Sequence, residues 1–203
     1  MSNNITTKKE LPAAQEKHHV TAVSTRCALS LFYYLMWADG QTTEDEFAKF
    51  DELGNELDPS FRINRTGIVK TCYTQVKTIT DPAKTYEVLL AGIRRALQSS
   101  NPTQDAFITP KHLLWNLLTF AYSDGKCAEI EKRLIQATAE ELQIDKAVFL
   151  ELENSILTLM DLEKELQWIK TTDRSYLAIE MMFNEIADRK NVIFESVKDL
   201  IAL

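Results

Sequence analysis

Turn-forming residues are scarce in this sequence, which holds five glycines and five prolines in 203 residues. Sandwiches, barrels and doubly wound sheets need many turns and use more of both residues. Segments that alternate apolar and polar residues between turn signals are also lacking, so no strand is predicted. The shortage therefore favours an all-α fold whose helices are joined by short connections.

Cysteines are equally few, with free thiols expected at Cys27, Cys72 and Cys127 because no Cys-x-x-Cys pair occurs. Distant cysteines in odd number are typical of a reducing compartment, which predicts a cytoplasmic protein. Cys127 lies near a predicted helix start, where a thiolate is favoured, although a buried thiol is the preferred interpretation.

No long apolar run occurs. The longest, about 28–38, is well short of the ~20 residues that a membrane span needs, so no direct membrane insertion is expected. Residues 1–16 lack the apolar segment of a secretory signal and are predicted to form a flexible lead-in.

Positive charge is a further shortage, because 23 lysines and arginines face 30 aspartates and glutamates. Nucleic-acid binding needs a cationic surface for the phosphates, so it is not expected. The five glycines form no phosphate-binding loop, and neither G-x-S-x-G nor H-E-x-x-H occurs. The sequence therefore predicts a protein without enzymatic activity.

Apolar periodicity predicts a bundle of about eight or nine helices. The first helix is predicted over 17–39, and Gly40 suits the left-handed position after it. Thr43 and Glu46 match a capping box, which predicts the next helix from Thr43 to Leu57. The other predicted helices cover about 65–79, 82–98, 110–124, 127–143, 145–169 and 173–203. Residues 17–153 are predicted to form one domain, with 154–203 as a helical extension packed on the same core.

One pattern, Asp-Gly followed by two glutamates, occurs twice at a distance of 85 positions. The copies are Asp39-Gly40 with Glu44 and Glu46, and Asp124-Gly125 with Glu129 and Glu131. Each copy follows an apolar helix and precedes an amphipathic one. Such self-similarity predicts an internal duplication with pseudo-two-fold symmetry.

Four of these acids, Asp39, Glu46, Asp124 and Glu131, are in phase with the apolar stripes of their helices, which predicts that they face the core. An ionised carboxylate in a poorly solvated site needs compensation. The compensating group is a divalent cation, a Lys or Arg side chain, or the backbone N–H groups of a helix that the acid caps. These alternatives stay open. Among cations, oxygen ligands favour Ca²⁺, Mg²⁺ or Mn²⁺.

At these residues the chain resembles the TerB-like (tellurite-resistance protein B) family, whose hallmark is an apolar helix ending in Ala-Asp-Gly before an acidic helix start. The resemblance covers roughly 25–153, through the segments LFYYLMWADGQTTEDEFAKF and LLTFAYSDGKCAEIEKRLIQATAEELQID. It implies an all-helical fold with internal symmetry. The cation ligands that it implies are Asp39, Glu46, Asp124 and Glu131, with Glu44 and Glu129 as weaker members. It further implies a bacterial stress or defence protein with protein partners, often membrane-associated.

Two other functions stay open. A metal-free helical adaptor would interact through its tail helices. Its Asp side chains would accept backbone N–H bonds, and the two Asp-Gly turns would lie apart. A metal-dependent hydrolase would need a general base or a phosphate-binding cation near the acids, and the sequence offers no distinct candidate.

Overall fold

The computed structural model describes residues 21–40, 42–101, 106–173 and 175–202. Its eight α-helices are α1 (Thr25–Met36), α2 (Glu44–Leu57), α3 (Phe61–Val76), α4 (Thr85–Gln98), α5 (Pro110–Ala121), α6 (Glu129–Glu141), α7 (Lys146–Lys170) and α8 (Tyr176–Ala202). A short 3-10 helix, Pro82–Lys84, leads into α4. The predicted all-α class is confirmed. The predicted lead-in, 1–16, lies outside the described residues.

Two short strands were not predicted. β1 (Val23–Ser24) and β2 (Phe107–Ile108) pair antiparallel, with Val23 opposite Ile108. Each strand has two residues, which is too short to show an alternating pattern. The prediction of no strand was therefore wrong.

Helix α1 begins at Thr25, later than the predicted start at 17. Ser24 is its N-cap, and the Ser24 hydroxyl oxygen accepts the Cys27 N–H at 3.2 Å. A residue that caps a helix in this way has extended backbone, so the helix cannot continue through it. Of the predicted earlier part, residues 17–20 lie outside the described ranges.

Helix α1 lies at the centre of the core, since ten of its 12 residues are buried. It packs against α2, α3, α4 and α5. The Phe32 ring on α1 lies 5.7 Å from the Phe120 ring on α5, measured between centroids. A helix that is apolar on all sides is expected in such a position. The ends of α1 and α5 are thereby held close together.

Helices α7 and α8 pack against each other and contribute to two clusters of buried residues. Ile156 and Val197 belong to the main core, whereas Leu162, Ile169 and Ile186 form a smaller cluster. Helix α7 is continuous across the predicted domain boundary at 153. Among the helices that the structure describes, none combines the length and the apolar character needed to cross a membrane.

Candidate metal centre

The four predicted ligands lie where α1 and α5 end and where α2 and α6 begin. Asp39 and Asp124 each precede a glycine in the left-handed conformation, with φ of 82° and 90° respectively. That conformation confirms the position predicted for the first of these glycines. Glu46 and Glu131 lie in the first turns of α2 and α6. We call each Asp-Gly turn, with the helix start that follows it, a corner.

The prediction that all four acids face the core is wrong for the two aspartates. Asp39 and Asp124 are exposed, whereas the two glutamates are half-buried. The physical reason is that α1 ends at Met36 and α5 ends at Ala121. Helical spacing therefore does not extend to the aspartates, and the turn directs them outward.

The first corner has a complete capping box. The Thr43 N–H donates to Glu46 Oε2 at 2.7 Å, and the Glu46 N–H donates to Thr43 Oγ1 at 3.2 Å. The Thr43 hydroxyl also donates to Glu46 Oε2 at 2.9 Å. Both orphan N–H groups at the start of α2 are thus satisfied, as the sequence predicts.

The second corner has half of this arrangement. The Ala128 N–H donates to Glu131 Oε2 at 2.7 Å, but alanine has no hydroxyl to accept a bond in return. Asp124 Oδ1 accepts the Lys126 N–H at 3.1 Å. Helix capping, one of the three compensators considered for these acids, is therefore present at both corners.

Among the four acids, Glu131 has a pKa to which the charges of the other three contribute. Burial raises the pKa of Glu131 to about 7, and the hydrogen bond from the Ala128 N–H only partly offsets this. The negative charges of Asp124, Asp39 and Glu46 raise that pKa further. Charges of the first corner thus contribute to the pKa of Glu131 in the second, although burial contributes more.

Cys127 lies beside these acids. Burial and the charge of Glu131 raise the pKa of its thiol to about 12, more than the Lys132 charge lowers it. The suggestion that a helix start favours the thiolate here is therefore wrong, because burial, followed by the charge of Glu131, favours the neutral thiol.

An ion pair between a half-buried lysine of α6 and a buried glutamate of α7 was missed from the sequence. Glu153 on α7 is only 5% exposed, and its Oε1 lies 2.8 Å from Lys132 Nζ. The Tyr122 hydroxyl donates to the same oxygen at 3.2 Å, and burial and the Glu153 charge raise the Tyr122 pKa to about 12. The signal was available, because Glu153 is in phase with the apolar residues Phe149 and Ile156.

The observed arrangement does not amount to a formed metal site. Within the described ranges, no three His, Cys, Asp or Glu side chains are grouped so that they could hold a metal ion. Glu46 and Glu131 each have Oε2 engaged in a cap. The fold and the site define an all-α protein with four carboxylates at two helix corners.

Comparison with known proteins gives no family for this chain. No protein-family model matches it, and neither the curated proteins nor the solved structures give a significant match. The resemblance to the TerB-like family therefore depends on the repeated sequence motif alone.

Proposed function

We propose that this protein binds a divalent cation between its two Asp-Gly corners and acts as a non-enzymatic, TerB-like stress or defence protein. The observation that carries the proposal is the effect of Asp39, Glu46 and Asp124 on Glu131, whose pKa all three raise. Negative charges around a carboxyl group disfavour its ionised form, and a bound cation would remove this cost. An all-oxygen donor set suits Ca²⁺, Mg²⁺ or Mn²⁺.

The capping bonds are compatible with this role. The caps of Glu46 and Glu131 use Oε2, and Asp124 uses Oδ1 for the Lys126 N–H. The second oxygen of each carboxylate is outside these caps and is the atom that we propose for the cation. The caps would then orient the acids, as hydrogen-bonded ligands are oriented in metal sites.

The proposal includes a pseudo-two-fold relation between the two halves. Helices α1 and α5 begin 85 positions apart, and so do α2 and α6. Val23 pairs antiparallel with Ile108, the residue 85 positions further along the chain. Pairing of equivalent residues supports a local two-fold axis at this point. A cation between the corners would link the two halves, and a protein partner in the cytoplasm would respond to that linkage.

A metal-free adaptor is the second candidate. It is favoured by the hydrogen bonds of Asp124, Glu46 and Glu131, which account for part of each carboxylate's stabilisation without a cation. In that case the acids serve the two corners structurally, and the tail helices carry the interaction.

Thermal unfolding of the full chain tests the proposal. The protein is treated with a chelator, and Ca²⁺, Mg²⁺, Mn²⁺ or Zn²⁺ is then added to the wild type and to Asp39→Asn/Asp124→Asn. Asparagine keeps an oxygen that can accept the turn N–H and removes the charge. The matched control is Asp45→Asn/Glu140→Gln, which removes two exposed charges from α2 and α6 at residues that are not predicted ligands.

A bound cation at 100 times its Kd should stabilise the wild type by ~2.7 kcal/mol. The proposal expects this gain with one or more cations, its loss in the aspartate double variant and its retention in the control. If no cation stabilises the wild type, or if both double variants lose the effect equally, the cation site is contradicted. The adaptor then becomes the better function.

A further inference from the structure

A cleft of about 380 Å³ opens between α1, α3 and α4. It lies towards the N-terminal end of α1, where Ser24 and Cys27 form part of its wall, whereas Asp39 follows the other end of that helix. The cleft is therefore separate from the candidate metal centre. Its volume falls within the range of ~300–1,000 Å³ that is typical of small-molecule sites.

The charge of this cleft is opposite to that of the whole protein. Its lining includes two arginines, Arg26 from α1 and Arg95 from α4, and no aspartate or glutamate from the described residues. The chain as a whole has a formal net charge of −7. A positive cleft on an acidic protein concentrates anions locally.

Among the residues that the structure describes, neither arginine is paired with a carboxylate. Arg26 and Arg95 form no ion pair in the part of the chain that the structure describes, whereas the adjacent Arg94 lies 2.7 Å from Glu141. Both guanidinium groups also act on the inner wall. The Arg26 charge lowers the pKa of Cys72, and the Arg95 charge lowers that of Tyr34, although burial raises both more strongly.

The other titratable groups of the cleft are neutral at pH 7. Burial raises the pKa of Cys27 to about 12 and that of Cys72 above its ordinary value. Burial likewise raises the pKa of Tyr34. No described wall group therefore competes with an incoming anion for the two guanidiniums. The Tyr34 ring packs onto Gly92, where a Cβ would lie 2.8 Å from Tyr34 Cζ.

We propose that this cleft binds a small organic anion, whose carboxylate or phosphate group lies between Arg26 and Arg95. Guanidinium groups bind both anions through paired N–H donors. The arginines come from two helices, and the Tyr34 ring and the neutral thiols provide a less polar wall for the organic part of the ligand. This site is independent of the proposed cation centre.

Calorimetric titration of the full chain tests the site. The probes are glycerol 3-phosphate, glutarate and inorganic phosphate at millimolar concentration, with neutral glycerol as the uncharged comparison. Glycerol 3-phosphate and glutarate distinguish a phosphate ligand from a carboxylate ligand. We expect one of the two organic anions to bind, and to bind more tightly than inorganic phosphate or glycerol.

Matched variants locate the binding. Arg26→Gln and Arg95→Gln should each weaken it by about tenfold or more, since each removes charge-assisted hydrogen bonds. Arg94→Gln removes the same charge beside the cleft and should leave the affinity within about twofold. Thr71→Phe fills the cleft without changing its charge and should abolish binding. Thr74→Phe, on the exposed face of α3 outside the lining, should not.

Each variant is first shown to be folded by its circular dichroism and melting temperature. The proposal is overturned if none of the three anions binds the wild type. It is also overturned if Arg94→Gln weakens binding as much as the two cleft variants, or if Thr74→Phe abolishes binding as Thr71→Phe does.

Discussion

The Lys49 ammonium donates a hydrogen bond of 2.8 Å to the Ser123 hydroxyl, so α2 is joined directly to the turn that holds Asp124. The first corner has Ala38 at the position of Ser123 and cannot form the reciprocal bond, because alanine has no hydroxyl. The two corners thus share a backbone conformation but differ in side-chain chemistry. Equivalent substitutions in the two halves are therefore expected to change the free energy of unfolding by different amounts.

The glycines of the two corners should be intolerant of side chains. At Gly40 and Gly125, whose φ values are 82° and 90°, a Cβ would meet nothing within 4 Å, so the cost of alanine is in the backbone alone. We expect Gly40→Ala and Gly125→Ala each to lower the free energy of unfolding by ~1–2 kcal/mol. Urea unfolding measures both changes.

Gly67 provides the matched control for that prediction. It lies exposed within α3 and also has open space at its Cβ position. Gly67→Ala should raise the free energy of unfolding by about 0.5–1 kcal/mol, because alanine is the better residue in a helix. A stabilising effect of alanine at either corner would show that the left-handed turn is not required there.

The ion pair of Lys132 with Glu153 should be destabilised far more by the loss of the lysine alone than by the loss of both charges. Lys132→Met removes the ammonium group beside the Glu153 carboxylate, whose side chain is 7% exposed and which keeps the hydrogen bond from the Tyr122 hydroxyl. We expect a loss of ~2–4 kcal/mol in urea unfolding, because an uncompensated buried charge remains. Lys132→Met/Glu153→Gln should recover part of it, since no charge is left.

An exposed ion pair serves as the control for the Lys132–Glu153 pair. Lys164 and Asp161 lie 2.9 Å apart, and both side chains are largely exposed. Lys164→Met should change the free energy of unfolding by no more than ~0.5 kcal/mol. If Lys132→Met costs as little as this, then Glu153 is better solvated in solution than its burial indicates.

Local chemistry made much of the fold predictable. The capping box at Thr43 and Glu46, the left-handed Gly40 and a helix start near Asp145 each depend on a few adjacent residues, and each is present. The pairing of Val23 with Ile108 joins distant segments through two-residue strands, for which the sequence carries no periodic signal.

For the candidate site, the sequence identified the repeated motif but not the geometry of its acids. Spacing identified Asp39 and Asp124, yet helical phase placed them in the core, because it assumed helices that continue through both residues. The contact of Glu153 with Lys132 joins α7 to α6. The helical periodicity of α7 indicates that Glu153 is buried, but it does not identify the residue that pairs with it. Spacing therefore fixes which residues are neighbours along a face, while partners across helices follow only from the packing.

Glu131 should make stability depend on pH. Its pKa rises from an ordinary 4.5 to about 7 on folding, so between these values the folded chain binds more protons than the unfolded chain. The free energy of unfolding therefore falls as the pH rises through this interval. For a half-buried group screened by solvent, the fall attributable to Glu131 is about 1–2 kcal/mol.

Urea unfolding near pH 5 and near pH 8, with chelator present, measures that fall. In Glu131→Gln the fall should be smaller by the same amount, while the amide oxygen can still accept the Ala128 N–H. The exposed Glu129→Gln should behave as the wild type. Equal pH dependence in the wild type and Glu131→Gln would mean that this carboxyl keeps its ordinary pKa.

The incomplete cap of α6 offers a stabilising substitution. Ala128 already has the extended backbone of an N-cap residue, with φ of −67° and ψ of 151°. A serine hydroxyl at this position could accept the Glu131 N–H and complete the box that Thr43 forms in the first corner. Ala128→Ser should raise the free energy of unfolding by about 0.5–1 kcal/mol, and Thr43→Ala should lower it by ~1 kcal/mol.

Thermal unfolding measures both substitutions. Because opposite changes in melting temperature are expected, each variant serves as a control for the other. The serine variant keeps all four acids, so its melting temperature should rise both with chelator and with added cation. If serine stabilised only the cation-loaded protein, the start of α6 would form its cap on binding. If serine destabilised the chain in both conditions, the hydroxyl would not reach the Glu131 N–H, and the two corners would differ in backbone as well as in side chain.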